Sequence, residues 1–205
     1  MKPYGFRKVY IVSIDTINMK IKEVSLNSNE PYLKVMRWFF SFPDKKIGLN
    51  DLIKEVSISK TTANKVINRL EKEGFLTKEV IGKAWRVSCN QKHEYNRTKK
   101  VCYNLELIYE SGIIKEIDKK YRPKSIILFG SYRRGDDNEK SDIDIAVEIV
   151  SATELRIEEF GILEKFGFRK NVEINVHIFS RKKINNNLFS NIANGIVLDG
   201  FLEIK

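Results

Sequence analysis

Apolar residues along this chain change their spacing repeatedly, and each change predicts a different kind of element. From residue 31 they recur every three or four positions. Tyr32, Leu33, Val35, Met36, Trp38, Phe39 and Phe40 predict a largely buried helix ending near Phe42 and Pro43. Leu52, Ile53 and Val56 predict a second over about 50–56, with Asn50 as its N-cap. A third opens at Ser59, Lys60, Thr61 and Thr62, carries Ala63, Val66, Ile67 and Leu70 as its core stripe, and stops at Gly74. Residues 75–80 and 84–87 read as strands around Ile81, Gly82 and Lys83. Helical spacing returns at Tyr95, Val101, Leu105, Ile108, Ile113, Ile114 and Ile117, broken at Ser111 and Gly112. That stripe reads as packing, with a homodimer seam as the alternative.

After residue 122 the pattern becomes that of strands. Ile126, Ile127, Leu128 and Phe129 form a continuous apolar run, as in a strand buried on both faces, and end at Gly130-Ser131. Residues 141–147 alternate, so Asp142 and Asp144 share one face while Ile143 and Ile145 take the other. Residues 152–166 are expected as a helix with Glu158, Glu159 and Glu164 on its wet side. Residues 171–179 alternate strictly, placing Val172, Ile174, Val176 and Ile178 on a core face and Glu173, Asn175 and His177 opposite. Residues 188–204 read as a last helix and a short extended tail. In residues 1–26, the β-branched stretch 9–12 and the alternation over 19–24 fit a small hairpin or a packed arm. The expected organisation is α+β in two domains: an N-terminal extension (1–26), a domain of three helices and a hairpin (27–92), connecting helices (93–122) and an α/β domain with a mixed sheet (123–205).

Charge sharpens this division. The net charge is +10 over 205 residues, and residues 1–92 carry 18 Lys and Arg against 9 Asp and Glu, whereas residues 93–205 carry 19 against 18. A basic first half points to a polyanion there, with nucleic acid the usual candidate. No apolar run approaches the roughly 18 residues a membrane helix needs, and no signal-peptide pattern opens the chain, so a cytoplasmic protein with no membrane partner is expected. Two cysteines, Cys89 and Cys102, read as free thiols; with His93 they match no standard zinc spacing.

Asp142 and Asp144 carry the candidate chemistry. Two carboxylates that close raise each other's pKa unless a cation sits between them. Oxygen donors with an incomplete shell suit Mg²⁺, with Mn²⁺ as an alternative, and leave room for substrate phosphates. Asp-x-Asp alone also fits a strand end with surface acids. Gly130-Ser131, ten further residues and then Asp142-Ile143-Asp144 together resemble the signature of the DNA polymerase β-like nucleotidyltransferases, in particular their minimal single-domain branch. The resemblance implies that Gly130 and Ser131, with Ser141, hold the triphosphate of ATP as substrate. It also implies that Asp142 and Asp144 bind metal and that a third carboxylate on a neighbouring strand, here Glu173, completes the catalytic set. The family more often has Asp at that last position. Arg133 and Arg134 are either bidentate phosphate partners or plain surface charge, and His177 is a substrate contact or an exposed strand residue.

Three helices and a hairpin, over roughly 28–90, resemble the winged helix-turn-helix family of DNA-binding domains. On its third helix Lys60, Thr61, Thr62, Asn64, Lys65, Asn68 and Arg69 are of the types that reach bases and phosphates, and Lys83 and Arg86 on the hairpin are candidate backbone contacts. Minimal nucleotidyltransferases of this kind are often antitoxins that adenylylate a tyrosine of a partner HEPN-type toxin. The expected function is transfer of AMP from ATP to a hydroxyl, on such a partner protein or on a small molecule, with the DNA-binding domain serving autoregulation. The alternative is a DNA-binding transcriptional regulator whose nucleotidyltransferase fold only senses nucleotide. An RNA-end transferase is less favoured, because the C-terminal half is nearly neutral.

Overall fold

The computed structural model describes residues 20–21, 30–82, 84–152 and 154–203. The hairpin or arm expected in residues 1–26 lies outside the described residues except for Lys20–Ile21, a two-residue strand (β1). Lys83 also lies outside them.

Helix α1 (Pro31–Ser41) buries Val35, Met36, Trp38, Phe39 and Phe40, and Pro31 sits in its first turn, where a missing N–H costs nothing. A short strand, β2 (Ile47–Gly48), leads directly into α2 (Leu49–Val56). Gly48 occupies the N-cap position with no side-chain cap, so Asn50, expected as the cap, lies inside the helix. Helix α3 (Lys60–Lys72) starts where its cap predicts: the Ser59 hydroxyl accepts from the Thr62 N–H at 3.2 Å. Strands β3 (Leu76–Ile81) and β4 (Ala84–Cys89) pair antiparallel, and β2 joins them in a three-stranded sheet ordered β2-β4-β3.

Helices α4 (Lys99–Glu110) and α5 (Ile113–Tyr121) break at Gly112, whose φ of +76° suits glycine. The buried face of α4 is Lys100, Tyr103, Asn104, Leu107 and Ile108 rather than the purely apolar stripe expected. After them come β5 (Ser125–Leu128), a short helix α6 (Gly130–Arg134), β6 (Ile143–Glu148), β7 (Arg156–Phe166), β8 (Arg169–Phe179), α7 (Asn186–Ala193) and β9 (Ile196–Gly200). Their six-stranded sheet runs β1-β7-β8-β6-β5-β9 and is mixed: β6 is parallel to β8 and antiparallel to β5, and β1 is parallel to β7. The expected extended tail is β9, which closes one edge against β5. No helix among the described residues is long and apolar enough to cross a membrane.

The helix expected over 152–166 is instead the strand β7, hairpinned to β8 through Gly167 and Phe168. Its buried residues, Phe160, Leu163 and Phe166, fall three apart and imitate a helical stripe. A bulge between Glu159 and Gly161 shifts the register between Phe160 and Leu163, and Phe166 ends the strand at the hairpin turn, so the buried apolar side chains do not alternate strictly.

Candidate functional site

The fully buried β5 carries the chain to Phe129, whose N–H donates to the Asp144 carbonyl at 3.2 Å. Gly130 follows at φ +71°, and a Cβ there would lie 2.5 Å from Asp144 Oδ2. Only glycine accommodates both the conformation and the contact. The first half of the motif is thereby packed directly against the second.

Asp144 lies in β6 and Asp142 just before it. In the parallel pairing with β8, Asp144 stands in register with Asn175, and Ile143 with Ile174. Asn175 Nδ2 donates to Asp142 Oδ2, and His177 Nε2 lies 3.1 Å from Asp144 Oδ1. Each carboxylate thus has one oxygen held by a neighbour on β8. The Phe129 ring packs edge-on against His177 with centroids 4.8 Å apart, and His177 Nδ1 is buried without a hydrogen-bond partner among the described residues. Glu173 shares the face of Asn175 and His177 and is exposed. Among the described residues no three His, Cys, Asp or Glu side chains gather to hold a metal ion. The side chains that hydrogen-bond the two aspartates are an amide and an imidazole, with Glu173 on the same face of β8.

The segment between α6 and β6 is fixed by residues that periodicity does not single out. Arg169 is buried; its guanidinium donates to the Tyr132 hydroxyl and to the carbonyls of Ser141, at 2.6 Å, and Glu139, at 3.2 Å. Lys100 and Asp137, only 1% and 3% exposed, form an ion pair at 3.3 Å. Lys100 also donates to the Asp137 carbonyl, and Asn104 Nδ2 donates to Asp137 Oδ1 at 2.8 Å and to the Tyr132 carbonyl at 3.2 Å. Burial pushes the Asp137 carboxyl up and the Lys100 ammonium down, and each partner opposes the shift of the other. Lys100 and Asn104 stand one turn apart on the buried face of α4, the one local signal that marked them.

Other expected site residues are dispersed. The Ser141 hydroxyl is used within its own loop, accepting from the Asn138 N–H at 3.0 Å. Arg134 donates to Asp136 at 2.8 Å, which, with the Asp144 charge adding to it, holds its guanidinium above the usual arginine range. Arg133 is exposed beside it. On α3, Lys60, Thr61 and Lys65 are exposed, while Thr62 shares the cap with Ser59. Asn68 accepts from Lys78 at 2.7 Å. Arg69 is paired with Glu73 at 2.9 Å and lies over the Tyr32 ring at 4.3 Å. Arg86 is exposed opposite Glu79. Cys89 is partly buried beside Asn96, and desolvation pushes its thiol up to about 11 against the opposing Asn96 contact.

Comparison with known proteins matches the sequence that builds this site to a family. The sequence profile described as nucleotidyltransferase domain matches residues 110–197, which hold the Gly130 turn and both aspartates. Relatives from Methanocaldococcus jannaschii carry the provisional name protein adenylyltransferase. One is 39% identical over 72 residues, 35% of this chain and 71% of the relative. A second is 34% identical over 73 residues, 35% of this chain and 70% of the relative. A third is 59% identical over 34 residues, 17% of this chain and 40% of its own length. A glycine that its left-handed conformation and the neighbouring Asp144 require, two aspartates at the start of β6, and relatives matched over most of their length place the chain in the nucleotidyltransferase family.

Proposed function

We propose that this protein transfers AMP from ATP to a hydroxyl of a partner protein, in the cytoplasm. The observation that carries the reading is the packing of Gly130 on Asp144 with Asp142 alongside, which sets an open backbone turn next to two carboxylates. The provisional name of the relatives supports protein as the acceptor class. Asp142 and Asp144 suit a hard divalent cation such as Mg²⁺, because both are oxygen donors and the shell they leave incomplete fits phosphate oxygens. Bound there, that cation would supply charge neutralisation on the triphosphate and the leaving pyrophosphate. Gly130 and Ser131 let the triphosphate approach the backbone closely. Asn175 and His177 hold one oxygen of each aspartate and so restrict where the other oxygens point. The acceptor oxygen attacks the α-phosphorus, its proton passes to a carboxylate of the site, and the bond to the β-phosphate breaks to release pyrophosphate.

The first unit, α1 to α3 with the β3–β4 hairpin, is in this reading a winged helix-turn-helix that binds DNA through Lys60, Thr61 and Lys65, with Lys83 and Arg86 on the hairpin. A HEPN-type toxin as acceptor, with autoregulation through the DNA-binding unit, is the full form of the proposal.

A second reading, a regulator that binds nucleotide without turning it over, is favoured by one observation: Asn175, and not a carboxylate, is the residue in register with Asp144. Transfer of label from α-labelled ATP with Mg²⁺, in lysate of the source cells, separates the two. Label on a discrete protein with wild type, absent with Asp142→Asn/Asp144→Asn, supports transfer. ATP binding without any labelled product supports the sensor.

A further inference from the structure

Beyond the C-terminal end of α6 lies a cleft of about 490 Å³, walled by the loop after α1, the segment between β4 and α4, and residues 133–138. Arg97, Lys100, Arg133 and Arg134 line it, against Asp44, Asp136 and Asp137. Each acid is already engaged. Lys100 pairs with Asp137 at 3.3 Å and Arg134 with Asp136 at 2.8 Å, while Gln91 donates its amide to Asp44 at 2.6 Å. Arg97 and Arg133 remain, both exposed and neither in an ion pair among the described residues.

Two guanidiniums thus line one polar cleft, and each presents a planar fork of donors that matches a phosphate. The volume lies within the roughly 300–1,000 Å³ of small-molecule pockets. Among the described residues no aromatic side chain lines it, and those walls offer a base nothing to stack on. Gly130, Ser131, Asp142 and Asp144 do not line it, which separates it from the turn where the triphosphate is proposed to sit. We propose that this cleft is a second ligand site, which binds a small, polar, phosphate-bearing molecule with its phosphate between Arg97 and Arg133. Because the walls join the first helical unit to the loop that leads into Asp142, an occupant stabilises that junction against thermal unfolding.

The test uses the full chain without ATP or Mg²⁺, titrated calorimetrically with ribose 5-phosphate and with inorganic phosphate, and with ribose as the uncharged control. Either phosphate compound should bind where ribose does not, and should raise the unfolding temperature. Arg97→Gln and Arg133→Gln, both at exposed positions, should each weaken binding about tenfold, as expected for a lost charge-assisted contact. Asp142→Asn/Asp144→Asn should leave it unchanged, and Mg²⁺-ATP should not displace the bound phosphate compound from wild type. Absence of binding at millimolar phosphate compound overturns the proposal, as does binding that survives both arginine substitutions. Binding lost in the Asp142→Asn/Asp144→Asn protein, or displaced by Mg²⁺-ATP, also overturns it by moving the phosphate to the catalytic turn.

Discussion

The first helical unit and the nucleotidyltransferase domain use charge in opposite ways. In the unit of α1 to α3, ion pairs lie at the surface or only partly buried: Arg69 with Glu73, Lys78 with Glu71, Lys46 with Glu79. Pairs of this kind contribute little, because water and salt screen them. That unit is held by its apolar stripe, with Phe39, Leu52, Ile67 and Phe75 fully buried. Around the loop of residues 135–141, charge is instead buried in Lys100, Asp137 and Arg169, with Asn104 completing the network. Buried pairs of this kind are weak evidence of stability, since desolvation offsets most of the attraction. What the network does here is fix position, by holding the loop of residues 135–141 so that Asp142 and Asp144 emerge against Gly130.

The largest effect that would break this contrast is at Asp137. Asp137→Ala leaves the Lys100 ammonium buried without its counter-ion, with only the residue 137 carbonyl to accept from it, and is expected to cost roughly 3–5 kcal/mol in denaturant unfolding. The double replacement Lys100→Met/Asp137→Ala removes the stranded charge and should recover much of that loss. A loss below about 1 kcal/mol for Asp137→Ala would mean the loop is held by something else.

Gly130→Ala comes next. It forces a left-handed conformation on alanine, at about 1–2 kcal/mol, and drives its methyl into the Asp144 carboxylate. Transfer should fall by more than the stability loss explains, because Asp144 must move. If label transfer from ATP persisted while the protein was measurably destabilised, the Gly130–Asp144 contact would have no part in the chemistry.

At Asn175 and His177 the expected effect is smaller. Asn175→Ala and His177→Ala release one oxygen of an aspartate each and should weaken Mn²⁺ binding about 10- to 100-fold, the usual effect of losing an outer partner of a metal ligand. Mn²⁺ titration followed by electron paramagnetic resonance reads this directly. Unchanged affinity in both variants would reduce these contacts to strand packing.

Some of this was legible in the sequence and some was not, for physical reasons. The stripes of α1 and α3 could be read because each helix buries one face, which forces a period on the chain. The two halves of the candidate site could be read because Gly130 and the aspartates sit at fixed spacing where two neighbouring strands end and begin. The loop network could not: Lys100 meets Asp137 and Tyr132 meets Arg169 across 37 residues each, and no local pattern encodes a contact at that range. Lys100 and Asn104 were also masked by their types, since lysine and asparagine on a helix usually face water. The strand β7 imitates a helix because a bulge sets Phe160 and Leu163 three apart and the hairpin turn adds Phe166 at the same interval, although Gly161 within it and Gly167 after it argue against a helix.

The smallest effect separates the surface charges of α3 from one another. If the winged-helix proposal holds, DNA affinity should fall steeply with salt, and Lys65→Ala should reduce the slope of log affinity against log salt by about 1. Arg69 looks equivalent in sequence, yet its guanidinium is already shared between Glu73 and the face of Tyr32. A side chain so engaged has to give up both partners to reach a phosphate. Arg69→Ala should therefore lower the unfolding temperature slightly and leave the salt slope close to that of wild type. Equal slopes for Lys65→Ala and wild type, with Arg69→Ala reduced, would reverse the assignment and show that the pair with Glu73 opens on DNA. A binding curve without salt dependence in all three proteins would instead make the exposed face of α3 a protein-docking surface.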